Sequence, residues 1–473
     1  MPLPGRAFMT WAAAGPAEAP HGLPVVGHAV QLWRRPLPFL RELSGRGDLV
    51  TLRLGRHRAY LACGIDAVRT VLHDPRTFDK GGPLFEKARL LVGDGLVSSD
   101  FATHRRQRLL MQPAFGTSRL PGYTGLMAEQ IDTALDRWQH GRTLDVGREM
   151  HTLALEVAAR TLFGAHLGER AVTEVVACMP LVMRGVYRRM LVPADWVHRL
   201  PLPANRRFDR ARATMHRVIA DTVRSYRDAG KDHGDVLSIL VSSRDEHGTS
   251  LSDAEIHDQV MTLLIGATEP PGSALTWVFQ LLSEHPEAER ALRAEADDVL
   301  RGRPAGALSA ADLARLEHTR HIVLEALRLY PPAWLLSRVA TKDTDLMGHP
   351  VPKGATVLFS PYQLHHDQDV FPHPSRFDPG RWRSPSPAAR AALLPFGAGN
   401  RKCIGDEVAL TELSLAVAAV ASRFRLRAVP GTTARPLVRA SLGAEHVVLR
   451  VEARTPLGAA AGGASVGSRA VAS

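Results

Sequence analysis

Cysteine is scarce in this chain: 473 residues hold three, Cys63, Cys178 and Cys403. Three thiols cannot build a disulfide framework, so the small cross-linked secreted scaffolds are excluded and a reducing compartment suits the chain. Long apolar runs are missing too. No stretch reaches the roughly 18–20 uninterrupted apolar residues of a membrane span. The run from Phe8 to Ala14 soon meets Gly15 and Pro16 and makes a poor signal peptide. These absences predict a cytoplasmic protein with no membrane segment. Aromatic residues are only 6% of the chain and the basic ones are scattered, so a base-stacking platform is not evident despite a net charge of +11. Nucleic acid is therefore not an expected partner. Two readings of the basic excess stay open: a solvated surface, or a docking face for an acidic protein if Arg105, Arg106, Arg401 and Lys402 lie together. No repeat period appears, and no linker divides the body.

What is present is apolar bulk. At 45% apolar content the chain can bury one large core, alone or with a smaller lobe. One unit is expected over residues 21–454, after a flexible segment, 1–20, and before an Ala/Gly/Ser-rich tail, 455–473, read as disordered. Gly47–Gly55, with alternating apolar residues, and Ala59–Cys63, on either side of a basic turn, read as a hairpin. Helical patterning dominates from Phe101. Ser252-Asp253-Ala254-Glu255 is a capping box, with Leu251 placed as a staple, and it opens an apolar stretch running to Leu282. Pro286 starts another helix in its first turn. Strands and turns follow Pro331, helix returns over Asp406–Phe424, and His446–Val451 closes the body as a strand. The expected fold is mainly α with a minor β lobe.

One cysteine has an unusual setting. Phe396-Gly397-Ala398-Gly399-Asn400-Arg401-Lys402-Cys403-Ile404-Gly405 places it in a glycine-rich loop, between cations, just before an apolar helix. Cations and a helix N-terminus both favour a thiolate. The glycines allow close backbone approach to a flat group and aim N–H groups at the sulfur. This pattern resembles the haem-binding loop of the cytochrome P-450 family, and the likeness spans about Gly22 to Val451. The alternative is a buried structural cysteine beside a surface turn.

The resemblance implies haem b held by Cys403 as the axial metal ligand, with Phe396, Arg401 and Gly405 in the loop around it. His104 and Arg108, at i,i+4, and Arg338 match the family's propionate-binding residues; a planar guanidinium suits a carboxylate. Glu325 and Arg328 share a helical face. With Arg376 in the Pro374–Phe377 segment they match a structural lock behind the cysteine loop. His365 and His366, whose adjacent side chains would point opposite ways in an extended segment, are expected to have structural or surface roles.

The helix that activates oxygen in the family departs from its pattern here. Gly266 and Ala267 match the small pair and Glu269 the acid, but Pro270 replaces the alcohol and Pro271 follows. Two prolines remove the N–H partners of the Gly266 and Ala267 carbonyls. A kink, or two helices meeting near Glu269, is expected. Glu269 is the candidate proton relay, and the hydroxyls of Thr268 and Ser273 are further candidates.

The family's pocket segments here offer Leu84, Phe85, Val182, Val186, Leu264, Ile265, Trp334, Leu335 and Leu442, with Arg89 and Arg184 as charged anchors. An apolar lining suits a small apolar substrate. Residues 187–190, 200–208 and 255–260 are similar to actinobacterial members that oxidise sesquiterpenes such as pentalenene. The implied activity is a monooxygenase using O2, with electrons from a ferredoxin and ferredoxin reductase. Two alternatives are a peroxide-using or rearranging haem-thiolate enzyme and a non-enzymatic haem carrier or sensor.

Overall fold

The computed structural model describes residues 15–163, 169–191, 195–231 and 233–454. Helices dominate, and their ends follow local chemistry. The helix Asp253–Gly266 opens on the expected capping box: the Ser252 hydroxyl accepts from the Glu255 N–H, and the Glu255 carboxylate accepts in return from the Ser252 N–H. Leu251 and Ile256, the staple positions, are both buried in the main core. Pro286 sits in the first turn of Pro286–Leu300, where its missing N–H costs nothing.

The centre of the molecule is the helix Glu269–Glu284, buried at every residue from Pro271 to Leu282. Most of its side chains are apolar, with Ser273, Thr276 and Gln280 as buried polar exceptions. Helices Val146–Phe163, Glu317–Leu329 and Asp406–Arg423 pack around it. Gly272 permits the closest approach: a Cβ there would come within 2.9 Å of the His151 Cα.

Six strands form the main sheet, in the order Ala17–Glu18, Leu49–Leu54, His57–Ala62, Thr356–Phe359, Leu336–Ala340 and Phe78–Asp79. The predicted hairpin is its antiparallel pair, registered Leu49 to Ala62 and Leu54 to His57. The last pairing sets Asp79 beside Val339 and so brings Lys80 next to Arg338. A three-stranded sheet joins Phe424–Ala428, Val448–Ala453 and Thr143–Asp145. The architecture is mainly α with a minor β portion, as expected.

Two boundaries differ. The final strand begins at Val448, because His446 has a φ of 60° and cannot continue an extended ladder. At the other end, Ala17–Glu18 pairs in parallel with Leu49–Leu54, and the His28 ring bonds the Ala19 carbonyl at 2.9 Å. The ordered body therefore starts before residue 21. The rest of the expected flexible segment, residues 1–14, and the tail 455–473 lie outside the described residues. Among the described residues no helix is long and apolar enough to cross a membrane.

Candidate haem site

The loop 396–405 forms the floor of a cavity of about 360 Å³. The Cys403 N–H donates to the Phe396 carbonyl at 2.9 Å and the Lys402 N–H to Gly399 at 3.0 Å, which folds the loop back on itself. Gly399 has a φ of 66°, and a Cβ there would lie 2.2 Å from the Leu72 carbonyl oxygen, so only glycine fits. Gly405 caps the helix Asp406–Arg423, and its backbone N–H points at the Cys403 sulfur. Phe396, Arg401, Cys403 and Gly405 all line the cavity, and Phe396 also packs on the main core.

The sequence predicts a thiol biased toward ionisation. The Cys403 side chain is open to the cavity, yet desolvation by the surrounding chain pushes its pKa up; the Gly405 N–H, Arg108 and Lys402 lower it, and Asp406 raises it. The amide and cations reduce the desolvation cost without reversing it. A bound metal cation ionises a coordinating thiol outright.

One edge of the cavity gathers cations from four segments. His104 and Arg108 come from the helix Phe101–Met111, Arg338 from Leu336–Ala340, Arg401 from the cysteine loop and Lys80 from the turn after Phe78–Asp79. Asp79 organises them. It pairs with Arg401, and it accepts from the Phe101 N–H at 2.8 Å, which seats the helix bearing His104 and Arg108. Arg108 donates to the Lys402 carbonyl at 2.6 Å.

The cluster carries more positive charge than Asp79 offsets. Burial, then Arg338 and Arg401, drive the Lys80 pKa well down. Burial, then Arg401 and Arg108, push His104 down to about 3, and burial lowers Arg338 to about 10. The Arg401 Nε is buried without a partner. A dianion at this edge would satisfy these groups, and two haem propionates fit that requirement above a cysteine floor. Lys80 was not legible as a site residue in the sequence. The available signal was a lone lysine just before Gly81-Gly82, a place where backbone comes close to another group.

Behind the floor, Glu325 and Arg328 are fully buried and joined by two hydrogen bonds, 2.8 and 3.0 Å. Arg328 spends its remaining donors on the carbonyls of His365, Pro374 and Arg376. The expected third member, Arg376, contributes only that carbonyl, because its side chain is exposed. Arg381 takes its place, 3.5 Å from Glu325, and the Trp382 indole donates to Glu325 at 2.9 Å. His365 is structural, as expected, although it lies on the short helix Pro361–His365. It bonds the Arg328 carbonyl at 3.1 Å, and its Nε2 accepts from the Leu394 N–H at 2.9 Å, which ties the lock to the cysteine loop.

Above the cavity floor, the chain forms two helices meeting at Ala267 and Thr268, with Pro270 and Pro271 in the first turn of the second. Gly266, Ala267, Pro270, Pro271 and Ala274 line the cavity. Among the described residues no hydrogen bond ends on the Gly266 or Ala267 carbonyl. Thr268 and Glu269 are not among the lining residues. The buried Thr268 hydroxyl donates to Leu264 at 2.6 Å. The Glu269 carboxylate accepts from Ser441 at 2.8 Å and faces the His151 Nε2 at 3.5 Å; Ser441 also contacts Ser273 at 3.2 Å.

Of the expected pocket segments, 81–97, 261–267 and 333–336 reach the cavity, while among the described residues 181–191 and 441–443 contribute none of its lining. Thr262 and Leu263 line the cavity, not Leu264 and Ile265; Ala333 and Leu336, not Trp334 and Leu335. Phe85, Val182, Val186 and Leu442 are buried elsewhere, and the side chain of Leu84 lies outside the described residues. Arg89 binds Asp94, and Arg184 is exposed. The four cations weighed as a docking face do not form one. Arg106 pairs with Asp245 and Glu255, Arg401 points inward to Asp79, and Lys402 pairs with Asp406, leaving Arg105 exposed.

Comparison with known proteins agrees with this geometry. The cyclooctat-9-en-7-ol 5-monooxygenase of Streptomyces melanosporofaciens is 47% identical, covering 88% of this chain and 90% of its own. The pentalenene oxygenase of Streptomyces avermitilis is 42% identical, covering 93% and 97%. The crystal structure of the cytochrome P450DA heme domain matches with a TM-score of 0.82 at 26% identity, over 94% of this chain and 98% of that one. The family model described as Cytochrome P450 matches residues 17–450. With a cysteine floor, a cationic edge and a broken helix above them, the chain belongs to the cytochrome P450 family.

Proposed function

We propose that this protein is a monooxygenase that places one oxygen atom of O2 into a C–H bond of a terpene, with sesquiterpenes such as pentalenene as the first class to screen. The carrying observation is Cys403 on the floor of an apolar-walled cavity, with the Gly405 N–H on its sulfur. Haem b would fit this site, held through its iron by the Cys403 thiolate. His104, Arg108, Arg338, Arg401 and Lys80 would hold the propionates. When bound, its iron supplies the activation of dioxygen, which the thiolate favours by pushing electron density toward O–O cleavage.

The chain's own residues have separable tasks. The walls exclude water and orient an apolar skeleton. The relatives' names widen the substrate class, since one names an alcohol and another a hydrocarbon oxygenase. Glu269 relays protons from the surface to the helix break. The part-exposed His151 supports it: the ring's Nδ1 donates to the Gly147 carbonyl at 2.7 Å, leaving Nε2 free to receive a proton and face Glu269. Water held on the Gly266 and Ala267 carbonyls stands where the family has its alcohol. Electrons come from a separate ferredoxin and its reductase.

The test begins with the reduced, carbon monoxide-bound spectrum of haem-loaded protein. A thiolate-type band, lost in Cys403→Ala, is expected; its persistence in that variant would overturn the assignment. Terpene hydrocarbons and alcohols are then screened for a low- to high-spin shift and for turnover with ferredoxin, reductase and NADPH. Pro270 at the alcohol's position favours one second reading, a peroxide-using enzyme. Turnover with peroxide and none with the electron-transfer chain would select it.

A further inference from the structure

Part of the cavity wall is held from outside by side chains that the reaction does not use. Leu96, Val97, Thr262 and Leu263 all line the cavity. The first two belong to a loop docked on the helix Asp253–Gly266. There the Asp258 carboxylate accepts from the Asp94 N–H and the Gln259 side-chain carbonyl from the Leu96 N–H, both at 2.9 Å. A Cβ at Gly93 would lie 2.1 Å from the Asp258 Oδ2, so only glycine lets the loop close on that carboxylate. The other Asp258 oxygen faces the His257 Nδ1 at 3.4 Å. The His257 Nε2 in turn lies 2.7 Å from the Nδ1 of His216, on the helix Pro203–Ala229, with the two rings 7° from parallel. One carboxylate and two imidazoles thus join the loop and two packed helices.

A carboxylate only accepts, so His257 carries its hydrogen on Nδ1 and presents Nε2 as an acceptor. His216 supplies the one hydrogen between the rings. We infer that His216, His257 and Asp258 form a latch that holds this wall of the cavity closed at neutral pH and lets go when acid puts a proton on both rings. Two protonated rings would set N–H against N–H, and charge against charge, across 2.7 Å. The closed pair therefore takes up at most one extra proton, whereas separated rings take up two, each near pH 6.5. Opening is unassisted above about pH 6.5 and gains about tenfold for each pH unit below it. Burial, then His257 and Arg212, lower the His216 pKa against a smaller upward pull from Asp258, which is the direction the latch requires. Arg212 shares the helix of His216, while His257 and Asp258 face it from the other. The elements around the pair bring charges that cancel: Arg89 with Asp94 on the loop side, Arg227 with Asp253, and Glu174 on the helix Glu169–Leu191 with Arg170 and Arg217. The latch goes beyond the monooxygenase reading, since it needs the fold and not the reaction.

Hydrogen–deuterium exchange of the haem-loaded full chain, read by mass spectrometry at pH 7.5 and 5.5 and corrected for the intrinsic rate, tests this. The loop 93–98 and the helix Pro203–Ala229 should exchange about tenfold faster or more at pH 5.5, while the core helix Glu269–Glu284 stays protected. In His216→Asn an amide stands where Nδ1 was and can either donate or accept, so both segments should stay slow at both pH values. In His216→Phe both should exchange fast already at pH 7.5, with no acid increment. Equal exchange of the unmodified protein at the two pH values overturns the inference. So does an acid increment that persists in His216→Asn, full protection of both segments in His216→Phe at pH 7.5, or equal loosening of the core helix. Should His216→Phe fail to fold, the unmodified protein and His216→Asn decide. The monooxygenase reading stands or falls separately, on the carbon monoxide spectrum.

Discussion

Glu325 is the residue on which the rear wall of the site depends. It accepts from Arg328, Trp382 and the Asp378 N–H while fully buried. Removing one partner of a buried ion pair strands the other charge, at a cost of about 3–5 kcal/mol. Glu325→Ala should therefore lose haem and unfold at markedly lower denaturant. Arg376→Ala should stay within about 0.5 kcal/mol of the parent, because the lock uses that residue's carbonyl and not its exposed side chain. Denaturant melts of both variants check the pair; equal losses would restore Arg376 to the lock. The i,i+3 pair was legible because helical spacing fixes it. The identity of the third cation was not, because two nearby arginines, Arg376 and Arg381, compete for one carboxylate, and only the turn Pro379–Trp382 decides which side chain points inward.

At the scale of elements, the proline pair converts one long apolar run into two helices. Each proline removes a backbone donor, so neither the Gly266 nor the Ala267 carbonyl can find its usual partner four residues on. The second helix tolerates Pro270 and Pro271 because its first-turn N–H groups have no intrahelical acceptor. Pro270→Thr returns one donor and one hydroxyl at the cavity wall. We expect product per reductant to rise in this variant if a hydroxyl there delivers protons better than carbonyl-bound water. Unchanged coupling and rate would show that the break only shapes the pocket. Backbone chemistry made this break legible from sequence. The direction of Glu269 was not, because it is set by Ser441, far away in the chain, and by the close approach of His151 at Gly272. The pocket residues failed for the same reason. Segment spacing located part of the wall, since 181–191 and 441–443 do not reach it, and in the helix Asp253–Gly266, which turns about 100° per residue, only packing fixes which face meets the cavity.

Across the whole molecule, buried neutral histidines link the lock to stability. His365 lies fully buried between the Arg328 carbonyl and the Leu394 N–H, so one ring nitrogen donates and the other accepts. That arrangement requires the neutral ring. Burial pushes its pKa down to about 3, and burial also lowers the neighbouring His366 to about 4. An unfolded chain titrates both near 6.5. Below that pH the unfolded state takes up protons that the folded state refuses, so the stabilisation is complete above about pH 6.5 and is lost as pH falls toward 4. Each ring contributes about 1.4 kcal/mol per pH unit in that window, or about 2.8 together. Denaturant melts at stepped pH should show this acid slope. In His366→Gln the slope should fall by about 1.4 kcal/mol per pH unit, because glutamine does not titrate. Holding the unfolding midpoint constant from pH 7 to pH 5 would refute the account. Acid unfolding should release the cysteine loop together with the lock, since the accepting nitrogen of His365 holds Leu394 and the Leu394 carbonyl holds the Gly397 N–H at 3.1 Å. Loss of the thiolate-type carbon monoxide spectrum should accordingly track the acid unfolding curve and not precede it.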